Sequence, residues 1–375
     1  MPQPAPPFVP TDAQPEVARP LKGLPTSSYD YGLPEEAIAQ SPAEPRSAAR
    51  LLVGAGLTGD GGVTHSTMAD LPLLLRPGDV LVVNETSVLA ARLHLRKQTG
   101  GEVEVLLLEP GAVGEARWEA LVRPGRRLRR GTLLFEDDRR EPVVEVGPTL
   151  TDGRRLVRLL DPSVIERAGT MPLPPYFHGR LEDPNRYQTV YATPREPGAR
   201  SSAAPTAGLH FTPELLDSCR KAGAEVLRVD LAIGIDTFRP ITAASVEGHL
   251  MHSERYSVPE ETLAACLAAE RVVAVGTTSV RALEAAAASG VLAGRTDLYI
   301  RGEYPFRLVD VLITNFHMPC SSLLVLVDAF VGSVWRDLYA AALAEGYRFL
   351  SFGDAMIVRR RRGSAEPSNA GEGSR

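Results

Sequence analysis

The chain has 375 residues, 44% hydrophobic and 23% charged, proportions that suit a folded protein of two domains or of one domain with an insertion. A formal net charge of −5 excludes a surface that is basic throughout, so a nucleic acid would have to meet a local patch. Cys219, Cys266 and Cys320 form no CxxC pair, which fits a reducing cytoplasm; no apolar run approaches the ~20 residues that span a bilayer, and no apolar core follows the N-terminus as in a secretory signal.

Residues 1–26, rich in proline and alanine, are predicted to be a disordered tail. Residues 27–75 are assigned to an α/β core that resumes at 162 and ends at 358. Within the first part, Arg50–Gly59 (RLLVGAGLTG) spells G-x-G-x-x-G, but Asp60, Gly61, Gly62 and Val63 then break any helix, so a hairpin turn is the better reading than a dinucleotide site. Residues 76–161 carry short β runs at Asp79–Asn84, Glu102–Leu108, Trp118–Val122 and Thr132–Phe135, which predict an inserted small antiparallel β-barrel. Beyond Ser163 strands and helices alternate. Pro213–Ala222, Glu260–Ala269, Ser279–Ser289 and Leu338–Glu345 read as helices; Glu225–Gly234, Arg271–Gly276 and Val309–Thr314 read as strands. That alternation gives an α/β fold, a sheet or barrel with flanking helices. Residues 359–375 begin with four arginines and are predicted to be a disordered basic tail.

Three segments have the composition of a ligand site. Gly276-Thr277-Thr278-Ser279 joins an apolar strand to a helix that contains Arg281, so free N–H groups, hydroxyls and a guanidinium converge there; simple capping by Thr278 or Ser279 is an equally good reading. Ala204–Phe211 combines small residues, which let the backbone approach a ligand, with Thr206 and His210. His249, His252 and Glu254, with Asn315 and His317, fit polar binding or acid–base work better than metal, because the spacing is not HExxH and no cysteine joins them. Arg126, Arg127, Arg129 and Arg130, with Arg154, Arg155 and Arg158, form a basic cluster suited to RNA phosphates or to a plain exposed hairpin.

Tyr29–Gln40, Pro77–Asn84, Ala91-Arg92-Leu93, Met171–Tyr176, Arg186–Ala192, Ala204–Thr212, Met251–Glu254, Val275–Leu283, Ile313–Pro319 and Tyr347–Val358 occur together in one order. In these motifs the chain resembles the S-adenosylmethionine:tRNA ribosyltransferase-isomerase family of queuosine biosynthesis. The resemblance implies an α/β core with an inserted β-barrel. It implies a reaction in which the ribosyl moiety of S-adenosylmethionine passes to a 7-aminomethyl-7-deazaguanine of tRNA and is isomerised, releasing adenine and methionine. S-adenosylmethionine would be a co-substrate, with no metal or separate cofactor, in a monomer. Carried onto the matching motifs, the catalytic candidates are His210, His252, Glu254 and His317; the substrate-binding candidates are Thr206, Thr277, Thr278, Arg281 and Asn315.

Leu231–Phe238 (LAIGIDTF) departs from the family's usual LHVGLGTF, with Ala232 for histidine and Asp236 for glycine. Ser87 stands for an arginine, Cys320 for a basic residue and Ser47 for an aspartate. These changes leave two alternatives beside the tRNA enzyme: a diverged S-adenosylmethionine-using enzyme with another acceptor, and a non-catalytic nucleoside- or RNA-binding paralogue.

Overall fold

The computed structural model describes residues 23–54, 56–57, 62–111, 116–125, 128–137, 139–150, 153–179, 181–194, 201–234 and 239–361. Arg50–Val53 (β1) and Thr64–Thr67 (β2) pair antiparallel; of the glycine-rich stretch between them, residues 55 and 58–61 lie outside the described residues. Asp79–Asn84 (β3) follows, with every residue buried.

The chain then leaves the core. Arg92–Lys97 (β4), Glu102–Pro110 (β5), Arg117–Arg123 (β6), Leu133–Phe135 (β7), Pro142–Thr149 (β8) and Arg155–Leu159 (β9) form an antiparallel sheet in the order β4-β5-β6-β9-β8-β7. Pairing of Arg96 with Phe135 and of Lys97 with Leu134 closes it into a barrel and removes the open edges that would invite aggregation. Alternation fills the interior: Trp118, Ala120 and Val122 point in from β6 while their neighbours are more exposed. Val164–Ala168 (α1) and the short strand Gly169–Thr170 (β10), which pairs with β4, lead back.

The returning chain supplies Pro213–Lys221 (α2), Glu225–Leu231 (β11), Glu254–Ser257 (β12), Glu260–Ala268 (α3), Arg271–Val275 (β13), Thr277–Ser289 (α4), Ala293–Thr296 (β14), Val311–Asn315 (β15), Ser322–Val331 (α5), Trp335–Ala344 (α6) and Ala355–Arg359 (β16). They complete a nine-stranded sheet in the order β14-β12-β11-β3-β13-β15-β16-β1-β2, in which the neighbours β11, β3, β13 and β15 are parallel. One face buries Val80, Val82, Ala274 and Leu312 under α4 and α5; the other buries Leu81, Val83, Val273 and Ile313 against Phe211, Leu215 and Leu216. Covered on both faces, such strands read as continuous apolar runs.

That burial corrects the expected boundary at residue 76: β3 lies in the middle of the main sheet, and the barrel starts only at β4. The inner ends of both expected tails are ordered. The Thr26 N–H donates to the Ala244 carbonyl at 3.0 Å and its hydroxyl to Ala243 at 2.7 Å, so residues 23–26 are held. Arg359 ends β16, and Arg360 donates to the Phe306 carbonyl at 2.7 Å. Residues 1–22 and 362–375 lie outside the described residues. Among the described residues no helix is long and apolar enough to cross a membrane.

Candidate active site

The parallel strands end at one rim, where an open α/β sheet offers its crevice. β15 ends on Asn315. Its amide donates to the Asp354 carbonyl at 3.3 Å and lies 3.1 Å from His210 Nε2, while its Oδ1 accepts from the Thr206 hydroxyl at 3.0 Å. The Asp354 carbonyl can only accept, which fixes the amide and leaves His210 Nε2 as an acceptor. Burial, helped by Arg348 and Arg46, pulls the His210 pKa down to about 4 and keeps the ring neutral. His317 is buried too; its Nε2 is 2.9 Å from the Thr314 hydroxyl, and burial lowers its pKa to about 3.

β13 is followed by Gly276, whose φ of 85° and ψ of 151° suit glycine almost alone, and α4 begins at once. No side chain caps that helix. Ser279 turns back to the Val275 carbonyl at 2.7 Å, and the buried Thr278 hydroxyl has no hydrogen-bond partner. The unspent N–H groups of the first turn and this hydroxyl therefore favour ligand contact over capping. Thr206, Asn315 and His317 line two adjoining cavities of about 30 Å³ each; Thr277 and Thr278 close one, and Tyr176 with Ser351, hydroxyls 2.6 Å apart, close the other. Each holds a water-sized group, not a nucleoside.

The remaining candidates lie further out. Glu254 opens β12 and is buried; its Oε1 accepts the Gly234 N–H at 3.1 Å and its Oε2 is paired by Arg281 from α4. Arg281 also donates to the Leu298 carbonyl at 3.1 Å, and its second terminal nitrogen is buried without a hydrogen-bond partner. Gly234, Glu254 and the exposed His252 border a cavity of about 520 Å³ that Pro240, Thr242, His249 and Ser322 complete. The same three residues border a cavity of about 190 Å³ at the seam of core and barrel, where Ala232 and Ser202 face Leu108, Glu109 and Arg154. Ile233 and Leu323 line an inner cavity, and their sequence neighbours Gly234 and Ser322 line the large outer one.

The predicted residues thus fall into an inner group (Thr206, Thr277, Thr278, Asn315, His317) and an outer group (His252, Glu254). Two of the predicted residues have neighbours within the protein. His210 lines neither inner cavity, and its Nε2 accepts from the Asn315 amide. Arg281 Nη1 is committed to Glu254, because a buried carboxylate needs a partner. In the basic cluster, Arg129 and Arg130 are exposed, and Arg126 and Arg127 lie outside the described residues. The other three arginines are used by the barrel itself. Arg154 pairs with Glu119 at 2.6 Å, Arg158 with Glu145 at 2.5 Å, and the buried Arg155 donates to the carbonyls of Gly125, Leu128 and Gly147.

Residue patterns did not single out Asn84, Thr86 and Ser201. Asn84 at the end of β3 accepts from Leu231 N–H at 3.1 Å and donates to its carbonyl at 3.0 Å. The Thr86 hydroxyl meets that of Ser201 at 2.8 Å, which accepts the Ile233 N–H at 2.9 Å. This lattice fixes the backbone before Gly234. Among the departures, Ala232 is half-buried in the seam cavity, and Ser87 has a buried hydroxyl without a partner. Cys320 adopts a left-handed φ of 54°, Ser47 sits in the turn Arg46–Ala48, and Asp236 lies outside the described residues.

A family profile described as queuosine biosynthesis protein matches residues 26–358, which contain every site residue above. The chain belongs to this family. A relative from Rubrobacter xylanophilus, named S-adenosylmethionine:tRNA ribosyltransferase-isomerase, is 52% identical over 337 residues, covering 89% of this chain and 97% of its own length. One of the same name from Thermus thermophilus is 49% identical over 355 residues, covering 90% and 100%. A solved S-adenosylmethionine tRNA ribosyltransferase from Thermotoga maritima is 35% identical, covers 88% of this chain and 99% of its own, and superposes with a TM-score of 0.49.

Proposed function

We propose that this chain transfers the ribosyl moiety of S-adenosylmethionine to a tRNA and isomerises it, the activity for which its family relatives are named. The observation that carries the reading is likeness to those relatives at about half identity along nearly their whole length. We further propose that the acceptor is the aminomethyl group of a 7-deazaguanine, that the protein acts as a monomer in the cytoplasm, and that S-adenosylmethionine is a co-substrate needing no separate cofactor.

The donor needs room for a nucleoside and an amino acid, and the cavity of about 520 Å³ is within the range of small-molecule sites. The positive sulfonium acidifies the C5′ hydrogens, so a base at the cavity edge can remove one to give an ylide. Glu254 and His252 stand at that edge. Collapse of the ylide expels adenine, which leaves more readily when its ring accepts a hydrogen bond or proton; the acceptor amine then adds and methionine departs. Thr206, Thr277, Thr278, Asn315 and His317 would supply neutral hydrogen bonds and free helix N–H groups to the polar ends of the donor. His210 would hold Asn315, and Arg281 would hold Glu254.

The deciding assay incubates the protein with S-adenosylmethionine, with and without precursor tRNA, and measures adenine and methionine. Release of both that depends on tRNA is expected. Equal release without RNA would point to another acceptor, and binding without release would defeat the enzymatic reading.

A further inference from the structure

We propose that the seam cavity between the barrel and the core receives a single flipped-out nucleobase of the acceptor RNA; this rests on the transferase reading above. Three observations carry it. The cavity of about 190 Å³ is far larger than the ~30 Å³ share of one water and too small for a run of nucleotides, which suits one base taken out of a loop. It shares Gly234, His252 and Glu254 with the larger cavity, so a base seated in it meets the donor across one edge that carries the acid–base groups. Two compartments with a common reactive edge are what a transfer between a small donor and a base on a polymer requires.

The third observation is the bridge between the domains at the mouth. Arg154, Arg255 and Arg295 line this cavity. Arg295 bridges the two domains: it donates to Glu109 of the barrel at 3.0 Å and to the Ser253 carbonyl at 2.6 Å. Arg154 is held by Glu119 at 2.6 Å. Both guanidinium groups are matched by barrel carboxylates, so Arg295 ties the two sides of the cavity mouth together and neither offers free charge to phosphates. Inside, Leu108 and Ile233 offer apolar faces to the ring, and the Ser202 hydroxyl, which donates to the Leu108 carbonyl at 3.3 Å, offers a hydrogen bond. The barrel therefore completes the acceptor site, and neither domain forms it alone.

The test uses the full chain and an anticodon stem-loop RNA with 2-aminopurine at the acceptor position, a base whose fluorescence rises when it unstacks. Wild type should raise the fluorescence on binding. Ala232→Trp, which fills the seam cavity, should abolish the rise and lower kcat/KM for precursor tRNA by ~100-fold, the scale of a misplaced reactant. Its affinity for S-adenosylmethionine should be unchanged. Ala232→Leu gives a graded effect and decides the matter if the tryptophan variant does not fold. A fluorescence rise undiminished in the filled variants overturns the proposal, as does loss of S-adenosylmethionine binding with the RNA signal intact, which would make the cavity the donor's. Absence of tRNA-dependent adenine release from the wild type would overturn the transferase reading with it; release without any fluorescence rise overturns the base pocket alone.

Discussion

At the scale of single residues the site works through groups held in one protonation state. His210 and His317 stay neutral in the fold down to about 4 and about 3, against an ordinary 6.5 in the unfolded chain. Above pH 6.5 neither state holds these protons and stability is complete. As the pH falls toward 4 the unfolded chain takes up protons that the fold refuses, so stability drops, by up to about 1.4 kcal/mol per pH unit for each histidine. The double change His210→Asn and His317→Gln should flatten the dependence of Tm on pH in that window; an unchanged slope would place the acid sensitivity elsewhere. The buried pair of Glu254 and Arg281 makes a different demand, because removing one partner strands a charge. Arg281→Ala should cost about 3–5 kcal/mol in urea unfolding, whereas Glu254→Gln with Arg281→Met should regain most of that stability and still fail to release adenine. Recovery of activity in the double variant would show that Glu254 is structural.

At the scale of elements the key junction is the entry to α4. Gly276 holds a backbone conformation that any side chain strains, and it lines the inner cavity together with Thr277 and Thr278. Gly276→Ala should lose about 1–3 kcal/mol and raise the KM for S-adenosylmethionine even where the variant is fully folded; a normal KM would remove this helix start from the donor site. The sequence made this element readable because a glycine, two threonines and an apolar strand lie in succession. Other elements hid for physical reasons. α5 (SLLVLVDAFV) is apolar nearly all round and shows no helical period, because it is buried in the core. β3 looked like its β-rich neighbours, since continuous apolar character identifies a buried strand and not its sheet. The barrel strands β5 and β6 alternate and were legible. Motifs pointed to Asn315, His317, Thr206 and Glu254, but Arg281 as a clamp and His210 as a support emerge only when distant segments meet. Ser201 and Thr86 carry no pattern at all and matter through a contact between residues 115 apart in sequence.

At the scale of the whole molecule, a net charge of −5 means that the long-range field does not favour RNA, so its approach must depend on local arginines. Among the described residues of the barrel, Arg154, Arg155 and Arg158 are already met by carboxylates or carbonyls. Arg129 and Arg130 are exposed on the barrel, whereas Arg295 at the seam is matched by Glu109. Binding of tRNA should therefore weaken with salt, with a modest slope that reflects a handful of neutralised phosphates. Arg129→Ala with Arg130→Ala should lower that slope by roughly 0.7–0.9 for each phosphate left without its guanidinium, measured by filter binding between about 50 and 200 mM salt. Because both residues lie away from the cavities, adenine release at saturating tRNA and affinity for S-adenosylmethionine should stay at wild-type values. A slope that does not change would move the RNA footprint off this face of the barrel and onto the core side of the seam. Loss of turnover at saturating RNA would instead mean that the barrel orients the acceptor as well as holding it.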